Sequence, residues 1–139
     1  MKYNSLILEK KEYVLLKRFL NLSIYSKDID YIASIKQLSK ALQFAQILDE
    51  KEMPKDIVRF NSVITLDLAE SGIQEVELVV PIKSNKKAGK ISILSPLGMA
   101  LIGRAGGDSI SGDLIPGTTH CTIVGVTQPN DRSLLSIAF

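Results

Sequence analysis

Residues 91–110 read Ile91-Ser92-Ile93-Leu94-Ser95-Pro96-Leu97-Gly98-Met99-Ala100-Leu101-Ile102-Gly103-Arg104-Ala105-Gly106-Gly107-Asp108-Ser109-Ile110. Ile91 and Ile93 alternate with serine, as on a half-buried strand. Ser95 can then accept a hydrogen bond from an early helical N–H. Pro96 has its φ already set for a first helical position and loses no useful donor there. Gly103 ends this short helix. Gly106-Gly107-Asp108 forms a tight turn, in which a glycine takes positive φ and the aspartate bonds nearby backbone N–H groups. The segment therefore predicts a strand, a helix of one or two turns, and a glycine turn.

Upstream of this unit the period is two. Ile64, Leu66 and Leu68 share one face of a strand. Val76, Leu78, Val80 and Ile82 share a face of the next, with Glu75 and Glu77 pointing away. Ala69-Glu70-Ser71-Gly72 is the turn between them, and a lysine-rich loop runs from Lys83 to Lys90. Segments near 110–115 and 120–126 complete about five strands in a small antiparallel sheet with one short helix.

Residues up to about 50 carry a helical period instead. Tyr31, Ile35, Leu38, Leu42 and Ala45 recur at alternating steps of four and three, and Tyr13, Leu16, Phe19 and Leu20 make a second stripe. Asn21 to Lys27 is the polar break, with Ser23 and Ser26 as N-caps. Helices of about 12 and about 22 residues, roughly 18 Å and 33 Å long, form an antiparallel hairpin, a short coiled coil. Pro54 disfavours helix at Met53 and closes this half. The expected class is α+β, with units at 1–52 and 53–139.

Composition narrows the function. In 139 residues, 45% apolar content suits an ordinary core, and a net charge of +2 leaves nucleic-acid contact to local patches. The single cysteine, Cys121, excludes an internal disulfide and a cysteine-rich zinc site. Charges at Glu9, Lys10, Lys11 and Glu12 interrupt any signal-peptide core, and no uncharged apolar run of about 18 residues exists to span a membrane. A cytoplasmic protein with no membrane partner is expected.

The pattern I-S-x-L-S-P-x-G-x-A-L-x-G in residues 91–103, followed by Gly107-Asp108, Ile110 and Pro116-Gly117, resembles the C-terminal domain of the bacterial GreA/GreB transcription factors. A second motif, Met53-Pro54-Lys55-Asp56-Ile57-Val58-Arg59-Phe60-Asn61-Ser62, is similar to the Met-Pro-x-Asp-Val-Val-x-Met-Asn-Ser segment of the family's Rnk-like branch, the regulators of nucleoside diphosphate kinase. That branch has a shorter hairpin than full-length Gre factors. The motifs cover most of residues 53–117, while the hairpin matches by pattern and position. The resemblance implies an FKBP-like C-terminal domain and RNA polymerase as partner, bound at the rim of its secondary channel. It implies a non-enzymatic regulator of transcription elongation without cofactor, with weak nucleic-acid contact through the polymerase complex.

On that reading Ser95, Pro96, Leu97, Gly98, Arg104 and Asp108 are the polymerase-docking candidates. The same residues also have a structural account as a strand-helix-turn unit. Asp28 and Asp30 sit at the hairpin tip. In cleaving Gre factors tip acids help hold a metal in the polymerase, but aspartates in a first helical turn also favour the helix dipole. The short hairpin and the missing acidic motif argue against cleavage stimulation. No catalytic, cofactor-binding or metal residues are expected. His120 lacks the partners for a metal site or triad and points away from Cys121 on a strand. Gly103-Arg104-Ala105-Gly106-Gly107-Asp108 is no phosphate loop, because it lacks Gly-Lys-Ser/Thr and follows its helix. Alternatives that stay open are a cleavage factor using Asp28 and Asp30 and an interaction or homodimerisation module. A proline isomerase is disfavoured by 6% aromatic content without tryptophan.

Overall fold

The computed structural model describes residues 1–22, 29–112 and 120–130. Strand β1 (Ile7–Glu9) runs directly into helix α1 (Lys10–Leu22), and the Glu9 carboxylate accepts the Lys11 N–H at 2.7 Å. That satisfies one of the donors a helix start leaves unpaired. Helix α2 (Ile29–Leu42) returns the chain to β2 (Gln46–Leu48), which pairs in parallel with β1. The main sheet contains β3 (Val63–Leu68), β4 (Gly72–Val79), β5 (Lys90–Ser92), β6 (Ser109–Ser111) and β7 (His120–Thr127), in the order β5-β4-β3-β7-β6. Helix α3 (Pro96–Leu101) lies between β5 and β6 in the chain.

The class is α+β, with two departures from the sequence reading. The second helix stops at Leu42, well short of residue 50. The N–H groups of Gln43, Phe44 and Ala45 bond the carbonyls three residues back, and the chain then pairs with β1. A partner forty residues away captures Gln46–Leu48, an override that local periodicity cannot report. The sheet is also mixed, because β5 runs parallel to β4. Pro81 has no N–H to continue β4; the chain turns through two 3₁₀ turns, Pro81–Lys83 and Lys86–Ala88, and re-enters alongside. Ile82, read as the last inward residue of that strand, is 89% exposed.

Elsewhere the alternation holds. Ile64, Leu66, Val76, Leu78 and Val80 are buried. The β3–β4 loop is residues 69–71, with Gly72 at φ +82° supplying the left-handed conformation that a short hairpin loop uses. One apolar core joins this sheet to both longer helices: Leu16 and Leu20 of α1 and Leu38 and Leu42 of α2 belong to the same cluster as Phe60, Ile64, Leu78, Leu101 and Ile123. The Phe19 and Phe60 ring centroids lie 6.4 Å apart, within aromatic contact range. Ser23, Ser26 and Asp28 lie outside the described residues. Asp30 belongs to α2, and its side chain is likewise outside them.

Candidate functional site

The β5–α3 joint is built as its sequence requires. Ser95 Oγ accepts the Gly98 N–H at 3.0 Å and donates to the Ser92 carbonyl at 2.7 Å, with Pro96 at the first helical position. Gly98 is where α3 crosses closest to β5. A Cβ there would stand 2.2 Å from the Ser92 carbonyl oxygen and 3.1 Å from Leu78 Cδ1. Ser95 and Gly98 thus set the angle at which α3 sits on the sheet. Leu97 is half-buried against the core, and Pro96 is also half-buried.

After α3, Gly103 takes φ +80° and packs under β1, where a Cβ would meet Leu6 Cβ at 3.1 Å. Arg104 follows with its backbone fixed at both ends: its N–H donates to Leu101, and its carbonyl accepts from Val58. The Asp108 side chain is turned inward. One carboxylate oxygen accepts the Ala105 N–H at 2.9 Å and the other the Lys2 N–H at 2.7 Å, so this aspartate closes the glycine turn and ties down the N-terminal segment. Asp56 holds the same segment, accepting Lys2 Nζ at 2.5 Å and the Tyr3 hydroxyl at 2.8 Å. Burial disfavours the Asp56 charge, but the hydrogen bonds from Lys2 and Tyr3 and the lysine charge outweigh it and hold its pKa below the ordinary carboxylate value.

Pro96 and Arg104 come together in a cleft of about 90 Å³ between α3 and α2. Leu38, Ala41, Met99 and Ala100 line it, and Ser34 and Gln37 add polar groups from α2. Among the described residues the Arg104 guanidinium has neither a hydrogen bond nor an ion pair. Burial lowers its pKa from the usual guanidinium range, and the charge of Asp108 works in the opposite direction. Sequence reasoning named Pro96 and Arg104 but not the α2 half of this cleft. Ser34 and Gln37 flank the apolar stripe of that helix, and only its packing against α3 brings them to the cleft.

A second feature missed in the sequence holds α1 to the sheet. Arg59 lies in the Met53–Ser62 motif, and its side chain is 7% exposed. Its guanidinium donates to Glu12 of α1, with Nε at 2.9 Å and Nη2 also in contact, and to Glu50 at 2.7 Å through both Nη1 and Nη2. The other Glu12 oxygen accepts the Phe60 N–H at 3.1 Å. Burial opposes the Arg59 charge, but the two carboxylates prevail and raise its pKa. Ser62 extends the network, accepting the Arg59 N–H and donating to Gln128, whose amide donates to the Ile57 carbonyl.

No group of histidine, cysteine or carboxylate side chains among the described residues could hold a metal, and no described helix is long and apolar enough to cross a membrane. His120 is exposed and Cys121 fully buried on opposite faces of β7, and burial pushes the Cys121 thiol pKa up. Residues 53–128, which carry β3 to β7 and α3, match the family model "Transcription elongation factor, GreA/GreB, C-term". The chain belongs to the GreA/GreB family. This GreA/GreB-family chain is 30% identical over 103 residues to "Transcription elongation factor GreA" of Desulfovibrio desulfuricans, covering 73% of the chain and 64% of that protein. It is 34% identical over 89 residues to "Regulator of nucleoside diphosphate kinase" of Escherichia coli K12, covering 63% of the chain and 65% of that protein. The match thus spans just under two thirds of each relative's length. Among solved structures, "Prokaryotic transcription elongation factor GreA/GreB from Nitrosomonas europaea" superposes with a TM-score of 0.71 at 27% identity, covering 88% of this chain and 99% of that one.

Proposed function

We propose that this GreA/GreB-family chain binds RNA polymerase and regulates transcription elongation from the secondary channel, without enzymatic activity and without stimulating transcript cleavage. The observation that carries this reading is the family match over residues 53–128, which contains the β5–α3 joint and the Arg104 side of the cleft. On this reading residues 53–139 form an FKBP-like docking platform, residues 1–52 form the helical arm beside it, and the protein works in the cytoplasm. Leu97, Pro96 and Arg104 supply the accessible contact. Ser95, Gly98 and Asp108 hold the geometry behind it.

The absence of cleavage stimulation rests on reach. Helices α1 and α2 have 13 and 14 described residues, about 20 Å each at 1.5 Å per residue. A short arm places its tip shallowly in a channel that cleaving factors must traverse. Co-sedimentation with core polymerase tests binding: wild-type protein is expected to co-sediment, and failure to do so would end the proposal. Cleavage of a backtracked transcript tests the second half. No stimulation is expected; stimulation that Asp28→Ala/Asp30→Ala abolishes would replace this reading with a cleavage factor.

A further inference from the structure

We propose that the cleft between α2 and α3 receives a glutamate side chain, flanked by apolar residues, from a partner polypeptide, with Arg104 pairing to its carboxylate. The identification of that partner as RNA polymerase rests on the function proposed above; the chemistry of the cleft does not.

Arg104 is the starting point. A guanidinium presents five N–H donors, which solvent or a partner must satisfy. The Arg104 guanidinium has no hydrogen bond or ion pair among the described residues. No described side-chain nitrogen or oxygen is sealed from solvent without a partner, so its N–H groups remain reachable. Backbone bonds to Leu101 and Val58 keep the residue in place. Contrast Arg59, whose guanidinium is engaged by two carboxylates. Two arginines lie in the same unit: one is spent on internal structure, and the other is held ready beside a cleft.

The size and lining of the cleft select the occupant. Drug-sized and nucleotide-sized ligands need pockets of roughly 300–1,000 Å³, whereas this one offers about 90 Å³. That suits one or two side chains. Leu38, Met99 and Ala100 give it apolar walls, and Arg104 is the one cationic side chain among its lining residues. A nucleic-acid backbone is recognised by several cations along an open track, so a phosphate chain is the poorer match. A glutamate suits both parts: its methylenes lie on the apolar wall, and its carboxylate takes a bidentate pair with the guanidinium fork. Ser34 and Gln37 on the α2 side offer hydrogen bonds to the adjacent peptide groups.

Two measurements decide this. In the first, the folded protein is titrated with acetyl-Leu-Glu-Leu-amide, its Gln counterpart, and inorganic phosphate, while NMR follows the Arg104 Nε–H and the amides of Ala41 and Met99. The Glu peptide is expected to shift all three saturably, and the Gln peptide to bind roughly tenfold more weakly or worse, the loss typical of a removed charge-assisted contact. No saturable shift, an equal response to the Gln peptide, or an equal response to phosphate would overturn the proposal. In the second, polymerase affinity is measured for wild type, Arg104→Lys, Arg104→Gln and Ala41→Trp, each checked for an unchanged melting temperature. Arg104→Gln is expected to lose roughly tenfold or more, as for a central interface arginine, Arg104→Lys less, and Ala41→Trp as much by filling the cleft. Unchanged binding by both Arg104→Gln and Ala41→Trp would overturn polymerase as the occupant's source. Failure of wild type to bind polymerase would overturn that source and the proposed function, leaving the titration to judge the cleft itself.

Discussion

Gly98 and Gly106 stand eight positions apart in one motif, and the fold asks different things of them. A Cβ at Gly98 would collide with the Ser92 carbonyl at 2.2 Å, where only backbone could yield; at Gly106 the nearest atom is Asp56 Cβ at 3.9 Å. Gly98→Ala should therefore cost about 1–3 kcal/mol in a denaturant titration, the range for forcing extra atoms into a packed site. Gly106→Ala should be neutral or gain up to ~1 kcal/mol, because it restricts the unfolded chain without strain. Asp56 gives a second test at this scale. Its native pKa lies below the ordinary 3.8, so it contributes stability that is fully present above that value and lost as pH falls through the lower native one. Asp56→Asn should be less stable than wild type at pH 7, and the gap should close as the pH is lowered beyond 3.8; a gap that persisted in acid would show that the charge is not what matters. The sequence displayed Ser95, Pro96 and the glycine turn because capping and positive φ are local demands. It did not display that Gly98 answers to a strand it packs against.

Helix α1 is attached to the sheet through a buried ion pair, Glu12 with Arg59. Removing one member of a buried pair strands the other, at a cost of about 3–5 kcal/mol, whereas replacing both with apolar side chains is often far milder. Arg59→Met should thus destabilise strongly, and Arg59→Met/Glu12→Leu should recover a large part of the loss. A double variant no better than the single one would mean that the Phe60 N–H, left without its Glu12 acceptor, dominates the cost. Periodicity revealed the helices and most strands: α1 comes out at 13 residues against the expected 12, and Leu16, Leu20, Leu38 and Leu42 are buried as their stripes require. It missed β1 and β2, three residues each, because their pairing is non-local.

At the scale of the whole molecule, the core cluster runs from β1 through both longer helices into the sheet. A shared core unfolds as one unit, so far-UV circular dichroism and the reactivity of Cys121, which is 0% exposed, should report one coincident transition. Thiol labelling well before helix loss would show that β7 opens separately from the arm. Composition, the strand-helix-glycine unit and the Met53–Ser62 motif determined the α+β class, the order of most elements and the family resemblance, because caps, turns and apolar periods act over a few residues. Only the tertiary structure decided that Asp108 faces inward onto Lys2, that Arg59 binds Glu12 and Glu50, and that Arg104 is left unpaired among the described residues beside α2. Each depends on elements far apart in the chain meeting at one place, and a charge is spoken for or free only once its neighbours in space are set.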